Sequence, residues 1–101
     1  MNEITTKEEF DALTNRGIAL IDLYATWCIP CQSLAVILDS LASKYTNVKF
    51  SKVNIEDAQE LSAELKVSAV PTLLIFKDGK EVKKIIGSQS RMALDDILKS
   101  L

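Results

Sequence analysis

The chain has no histidine and only two cysteines among its 101 residues. A closed structural zinc site needs four ligands, drawn mostly from those two residue types, so one chain cannot build it. A zinc or iron–sulfur site bridging two chains stays open. Three glycines and two prolines leave no room for a flexible linker or a low-complexity segment, and no internal repeat is visible. No apolar run approaches the length of a membrane span, so a membrane is not an expected partner. The opening residues, Met1-Asn2-Glu3-Ile4-Thr5-Thr6, lack the basic and apolar regions of a secretory signal, which predicts a cytoplasmic protein. Net charge is −2 and no basic cluster exceeds Lys83-Lys84. Nucleic acid and anionic lipid are therefore not expected partners either.

What the chain does have is enough apolar residue, 48%, to bury one core but not two. A single domain over residues 1–101 is expected. Its only cysteines fall together in Trp27-Cys28-Ile29-Pro30-Cys31. Before them Ile18 to Ala25 reads as a buried strand; after them the pattern is helical. At such a junction the first thiol meets the unpaired N–H groups and positive dipole end of a helix, which stabilise a thiolate. The second thiol lies one turn on, within reach of a small disulfide ring. Pro30 suits the first turn, where its missing N–H costs little. In a reducing cytosol a lone dithiol suggests catalysis more than stapling.

Strand and helix patterns alternate along the chain. Glu3-Ile4 reads as a short strand, and Thr6 with Glu9 has capping-box spacing before a helix bearing Phe10 and Leu13. The apolar run from Ile18 to Ala25 has no polar alternation except Asp22, as in a central strand covered on both faces. Leu34, Ile37, Leu38, Leu41 and Tyr45 recur at helical spacing, with Asn47 as the stop. Val48 to Ile55 is a strand, Asp57 to Lys66 a short helix with Leu61 and Leu65 inward, and Thr72 to Phe76 a second continuous apolar strand. Lys77-Asp78-Gly79-Lys80 is a hairpin turn, with Asp-Gly at the positive-φ positions. Glu81 to Ile86 returns antiparallel, and Ser90 to Leu101 is a helix with Leu94, Ile97, Leu98 and Leu101 on its apolar face. The expected fold class is α/β, a mixed central sheet flanked by helices on both faces in the order βαβαβαββα.

Separated pieces in this order resemble the thioredoxin family over essentially the full length. They are Asp22-Leu23-Tyr24-Ala25-Thr26-Trp27-Cys28-Ile29-Pro30-Cys31, Lys52-Val53-Asn54-Ile55, Val70-Pro71-Thr72-Leu73, Phe76-Lys77-Asp78-Gly79 and a late Gly87. A lone Cys-x-x-Cys is a weak signal. With Trp before it, an acid six residues upstream and Val-Pro-Thr beyond, it is a strong one. The resemblance implies a thiol–disulfide oxidoreductase that reduces protein disulfides, with Cys28 as nucleophile and Cys31 as resolving thiol. It implies no bound cofactor or metal, electrons from NADPH through a thioredoxin reductase, disulfide-containing client proteins as partners, and a monomer.

The other site residues each carry two readings. Asp22 is either a strand-edge carboxylate solvated at the rim, or a buried acid with a raised pKa that exchanges protons beneath the dithiol. The family assigns the matching Asp the second role. Lys52 shares strand parity with Val48 and Phe50 and matches the family's lysine beside that Asp; otherwise it is an ordinary snorkelling lysine. Pro71 is either a trans edge proline or, as the resemblance implies, the proline of a cis Val70–Pro71 bond facing the dithiol. In that setting it keeps metal from the thiols and exposes Val70's backbone to an extended client segment. Trp27, Ile29, Pro30, Ala69 and Val70 then form an apolar substrate rim, with Gly87 leaving a gap; the alternative for Trp27 is a core aromatic.

The chain departs from the common family pattern at Ile29, usually Gly, at Gln32, usually Lys or Arg, and at Val36, usually a helix-kinking Pro. These put redox potential and client choice in question rather than fold. Two other functional classes stay in view: a redox-inactive binding module of the same fold, and an oxidase or isomerase of that fold. A glutaredoxin is disfavoured, because the proline context is Val-Pro-Thr and no glutathione pattern is present.

Overall fold

The two continuous apolar runs become the middle of a five-stranded sheet. The computed structural model describes residues 1–101. Its elements are β1 (Asn2–Glu3), α1 (Lys7–Thr14), β2 (Ile18–Tyr24), α2 (Ile29–Lys44), β3 (Val48–Asn54), α3 (Gln59–Glu64), β4 (Thr72–Lys77), β5 (Lys80–Ile86) and α4 (Arg91–Lys99). Spatial order is β1-β3-β2-β4-β5. β2 runs parallel to β3 and antiparallel to β4, so the strand leading to the cysteines is the central one. No helix is long and apolar enough to cross a membrane.

Alternation along β2 divides the core of the domain between the two faces of its one sheet. Ala19, Ile21 and Leu23 point to one face, where Phe10 of α1 and Leu61 of α3 cover them. Leu20 points to the other, with Leu34, Leu38 and Leu41 of α2 and Leu94 and Leu98 of α4. Asp22 and Tyr24 share Leu20's parity and so face α2.

Local chemistry sets the element ends. Thr6 caps α1 with the reciprocal bond from Glu9 in place. Asp78 and Gly79 both take positive φ (51° and 87°) in the β4–β5 turn. That turn is tied down: Asp78 Oδ1 accepts from the Gly17 N–H at 2.8 Å, and the Gly79 N–H donates to the Thr14 carbonyl at 2.8 Å. β5 forms one edge of the sheet and exposes Lys80, Lys83 and Lys84.

Most expected boundaries shift by one or two residues, and three of the differences have a visible cause. β1 is Asn2–Glu3 rather than Glu3-Ile4; Ile4 has left the ladder to bury its side chain, although its N–H still reaches the Lys52 carbonyl at 2.9 Å. α3 is shorter than Asp57 to Lys66. The Asn54 side chain takes the Glu56 N–H at 2.9 Å and holds residues 55–57 in a turn, while Lys66 adopts φ 57° and ends the helix. α2 ends at Lys44, before Asn47, because Tyr45 leaves helical geometry and its hydroxyl reaches Asp95.

Candidate active site

Cys28 is the N-cap of α2, at φ −90° and ψ 107°, and its sulfur accepts the Cys31 N–H at 3.2 Å. Cys28 and Cys31 are joined as a disulfide with Cα atoms 5.3 Å apart. Both sulfurs are held inside a small apolar nest of Ala25, Tyr24, Ile55 and Val70, with Cys28 at 5% and Cys31 at 2% exposure. Once the pair is reduced, the N–H that faces Cys28 and the dipole of a 16-residue helix both favour negative charge on that sulfur.

Beneath the disulfide lies a cavity of about 260 Å³ lined by Asp22, Tyr24, Ala25, Thr26, Cys31, Gln32, Ala35 and Lys52. Asp22 is 1% exposed and its Oδ1 has no hydrogen-bond partner. Burial pushes its carboxyl up to about 7, and the charge of Lys52 only partly opposes this. An acid that titrates near neutrality therefore shares a cavity with Cys31. The solvated-rim alternative for Asp22 does not fit this burial. Lys52 stands opposite Asp22 in the β2–β3 register. Its ammonium lies 3.9 Å from Glu3 Oε1 and 5.5 Å from the centre of the Tyr24 ring.

The Val70–Pro71 bond is cis. The Thr72 hydroxyl donates to the Ala69 carbonyl at 2.6 Å and closes this turn, while the Gly87 N–H donates to the Pro71 carbonyl at 2.9 Å. Val70 packs against the cysteine nest. Gly87 has φ 93°, and an added Cβ there would meet nothing within 4 Å. Trp27 and Ile29 are 65% and 72% exposed, so Trp27 is not a core residue. Pro30, next to Ile29, is exposed as well, and so is Ala69, next to Val70.

The departures from the family pattern also have places. The Gln32 side-chain N–H donates to the Thr26 carbonyl at 3.3 Å, linking α2 back to the turn before it. Val36 is exposed on an α2 that runs unbroken. Sequence reasoning passed over Glu3, Tyr24, Thr26, Gln32 and Ala35 as neighbours of Asp22 and Lys52. The strand parity that Tyr24 shares with Asp22 was a usable signal for one of them. Glu3 had none, because it reaches the site only through strand pairing.

The thioredoxin family model matches residues 2–100. A thioredoxin of Chlamydia pneumoniae is 36% identical over 98 residues, covering 97% of this chain and 96% of its own. The oxidised mitochondrial thioredoxin 3 of Saccharomyces cerevisiae superposes with a TM-score of 0.90 at 33% identity, covering 100% of this chain and 95% of its own. The thioredoxin of Fasciola hepatica does so with a TM-score of 0.91 at 31% identity, covering 99% and 98%. Matched in sequence over residues 2–100 and in structure over nearly its whole length, with its one disulfide at the head of α2, the chain belongs to the thioredoxin family and is a thiol–disulfide oxidoreductase.

Proposed function

We propose that residues 1–101 act as one monomeric thioredoxin domain in the cytoplasm, reducing disulfides in client proteins. Membership of the family implies a thioredoxin reductase as electron donor; NADPH is the source we assign behind it. Cys28 thiolate attacks one sulfur of a client disulfide. The Cys28–client disulfide forms and the other client sulfur leaves as a thiolate. Asp22, as carboxylate, then takes the Cys31 proton across the cavity. Cys31 thiolate attacks Cys28 and expels the second client thiolate. The client gains two electrons, and the chain is left with the Cys28–Cys31 disulfide. Lys52 partners Asp22 electrostatically. Trp27, Ile29, Pro30, Ala69, Val70, Pro71 and Gly87 receive the client, with the backbone of Val70 pairing to an extended segment.

The observation that carries this assignment of roles is the Cys31 N–H donated to Cys28 Sγ at 3.2 Å at the start of α2, which favours charge on Cys28 and not on Cys31. In an insulin-reduction assay with NADPH and a thioredoxin reductase, Cys28→Ser is expected to abolish turnover. Cys31→Ser is expected to accumulate client disulfides on Cys28. Faster alkylation of Cys31 than of Cys28 in the reduced protein would reverse the roles.

A further inference from the structure

Three strands set three charged residues in one row. Glu3 of β1 stands opposite Lys52 of β3, and Lys52 stands opposite Asp22 of β2. Side chains in register on neighbouring parallel strands share a face, so one lysine lies between two carboxylates. It does not divide evenly between them. Lys52 Nζ is 3.9 Å from Glu3 Oε1, whereas Asp22 makes no ion pair and leaves an oxygen without a partner. Glu3 is itself held: its Oε1 accepts the Tyr24 hydroxyl at 2.6 Å, and Lys52 lies over the Tyr24 ring.

We propose that Glu3 is a positioning residue for the buried acid: anchored by Tyr24, it draws Lys52 to the mouth of the cavity and so sets the pH at which Asp22 takes up its proton. Two effects act in the same direction. The ammonium drawn toward Glu3 stabilises the Asp22 carboxylate less than one at contact distance would. The lost contact also leaves Asp22 without the hydrogen bond that would favour its charged form. The other titratable groups around the row are few. α2 presents Cys31, with uncharged Gln32 beside it. The turn after β3 carries Glu56, which accepts the Thr26 hydroxyl at 3.1 Å, and Asp57, whose charge acts on Tyr24. Opposite Asp22, β4 presents only Leu73.

The proposal rests on Asp22 mattering to the second thiol step, and the test separates the two. Glu3 is exposed on a short edge strand, so Glu3→Gln leaves the packing on both faces of the sheet untouched. The Asp22 carboxyl carbon is followed by NMR from acid to alkaline pH in the oxidised protein, where the cysteines do not titrate. Glu3→Gln is expected to lower the Asp22 midpoint by about one pH unit, the low end of what an approaching opposite charge does to a carboxylate. Tyr24→Phe is expected to lower it by less. Lys52→Met is expected to raise it, and adding Glu3→Gln to Lys52→Met to change nothing further. An unmoved midpoint in Glu3→Gln overturns the proposal. So does an equal fall in the Lys52→Met background, which would mean simple repulsion between carboxylates. A lowered midpoint with an unchanged pH dependence of mixed-disulfide resolution upholds Glu3's positioning role, and removes Asp22 as the base.

Discussion

Asp22 occupies a place that is costly for a carboxylate. At 1% exposure with its pKa pushed up to about 7 by burial, the folded chain holds that proton more tightly than the unfolded chain does. Between about pH 4, where an unfolded Asp titrates, and about 7, the folded state binds more protons. Stability therefore falls as pH rises through that window, and the loss is complete above it. Asp22→Asn removes the dependence. The variant is expected to be more stable than the parent at pH 8, by up to about 4 kcal/mol on a shift of this size, and close to it below pH 4. Urea melts of the oxidised proteins at both pH values measure this. A variant less stable at pH 8 would mean that the charged form is compensated by contacts the structure does not contain.

At the scale of elements, α2 does two jobs, and each end has its own fastening. Its N-terminus carries the disulfide. Its C-terminus is clasped to α4 through Asp95, which accepts from Lys44 Nζ at 2.7 Å and the Tyr45 hydroxyl at 2.6 Å, with Lys99 Nζ at 3.1 Å. The bonds from Lys44 and then Tyr45 hold the Asp95 carboxyl well below the usual carboxylate range. The bond to the Asp95 carboxylate, with burial second, in turn pushes the Tyr45 phenol up to about 12. The depressed carboxyl contributes stability that is present above the unfolded value near 4 and is lost as pH falls toward the folded one. Asp95→Asn is expected to lower Tm at pH 7 and to lower it less at pH 3. An equal loss at both would assign the effect to packing and not to charge.

These elements were readable in the sequence to very different degrees. β2 and β4 stood out because both their faces are covered, which writes a continuous apolar run. α1 was legible because its cap is made by residues three apart, Thr6 and Glu9. α3 was over-extended because its start is set by the Asn54 side chain and not by a capping residue of its own; Ala58 at the cap makes no side-chain bond. Within the site, the cysteines and Asp22 were visible as local irregularities in regular patterns. The bond between Glu3 and Tyr24 was not, since it spans 21 positions and depends on the β1–β3 register, which a two-residue strand cannot announce. The clasp at Asp95, about 50 positions from its partners, is hidden for the same reason.

Across the whole molecule, the two sheet edges differ. β1 is two residues long and offers little backbone. β5 is seven residues long, and Lys80, Lys83 and Lys84 stand exposed along it. An open edge of that length, bearing Val82 and the Ile85-Ile86 pair, is a template for another strand, and lysine is a common means of discouraging one. Replacing Lys83 and Lys84 together with valine creates an uncharged, β-branched stretch from Val82 to Ile86. The double variant is expected to scatter light sooner on heating, while freshly prepared protein reduces insulin at the parental rate. Equal scattering would mean that the lysines have no such part. The edge also bears on how an oxidoreductase of this kind survives its own clientele. Proteins whose disulfides need reducing are often partly unfolded, and they present the extended, sticky segments that seed aggregates. With a client segment received only at the backbone proposed for Val70 and the longest open flank guarded by lysines, such a carrier would meet misfolded chains repeatedly without being recruited into their deposits.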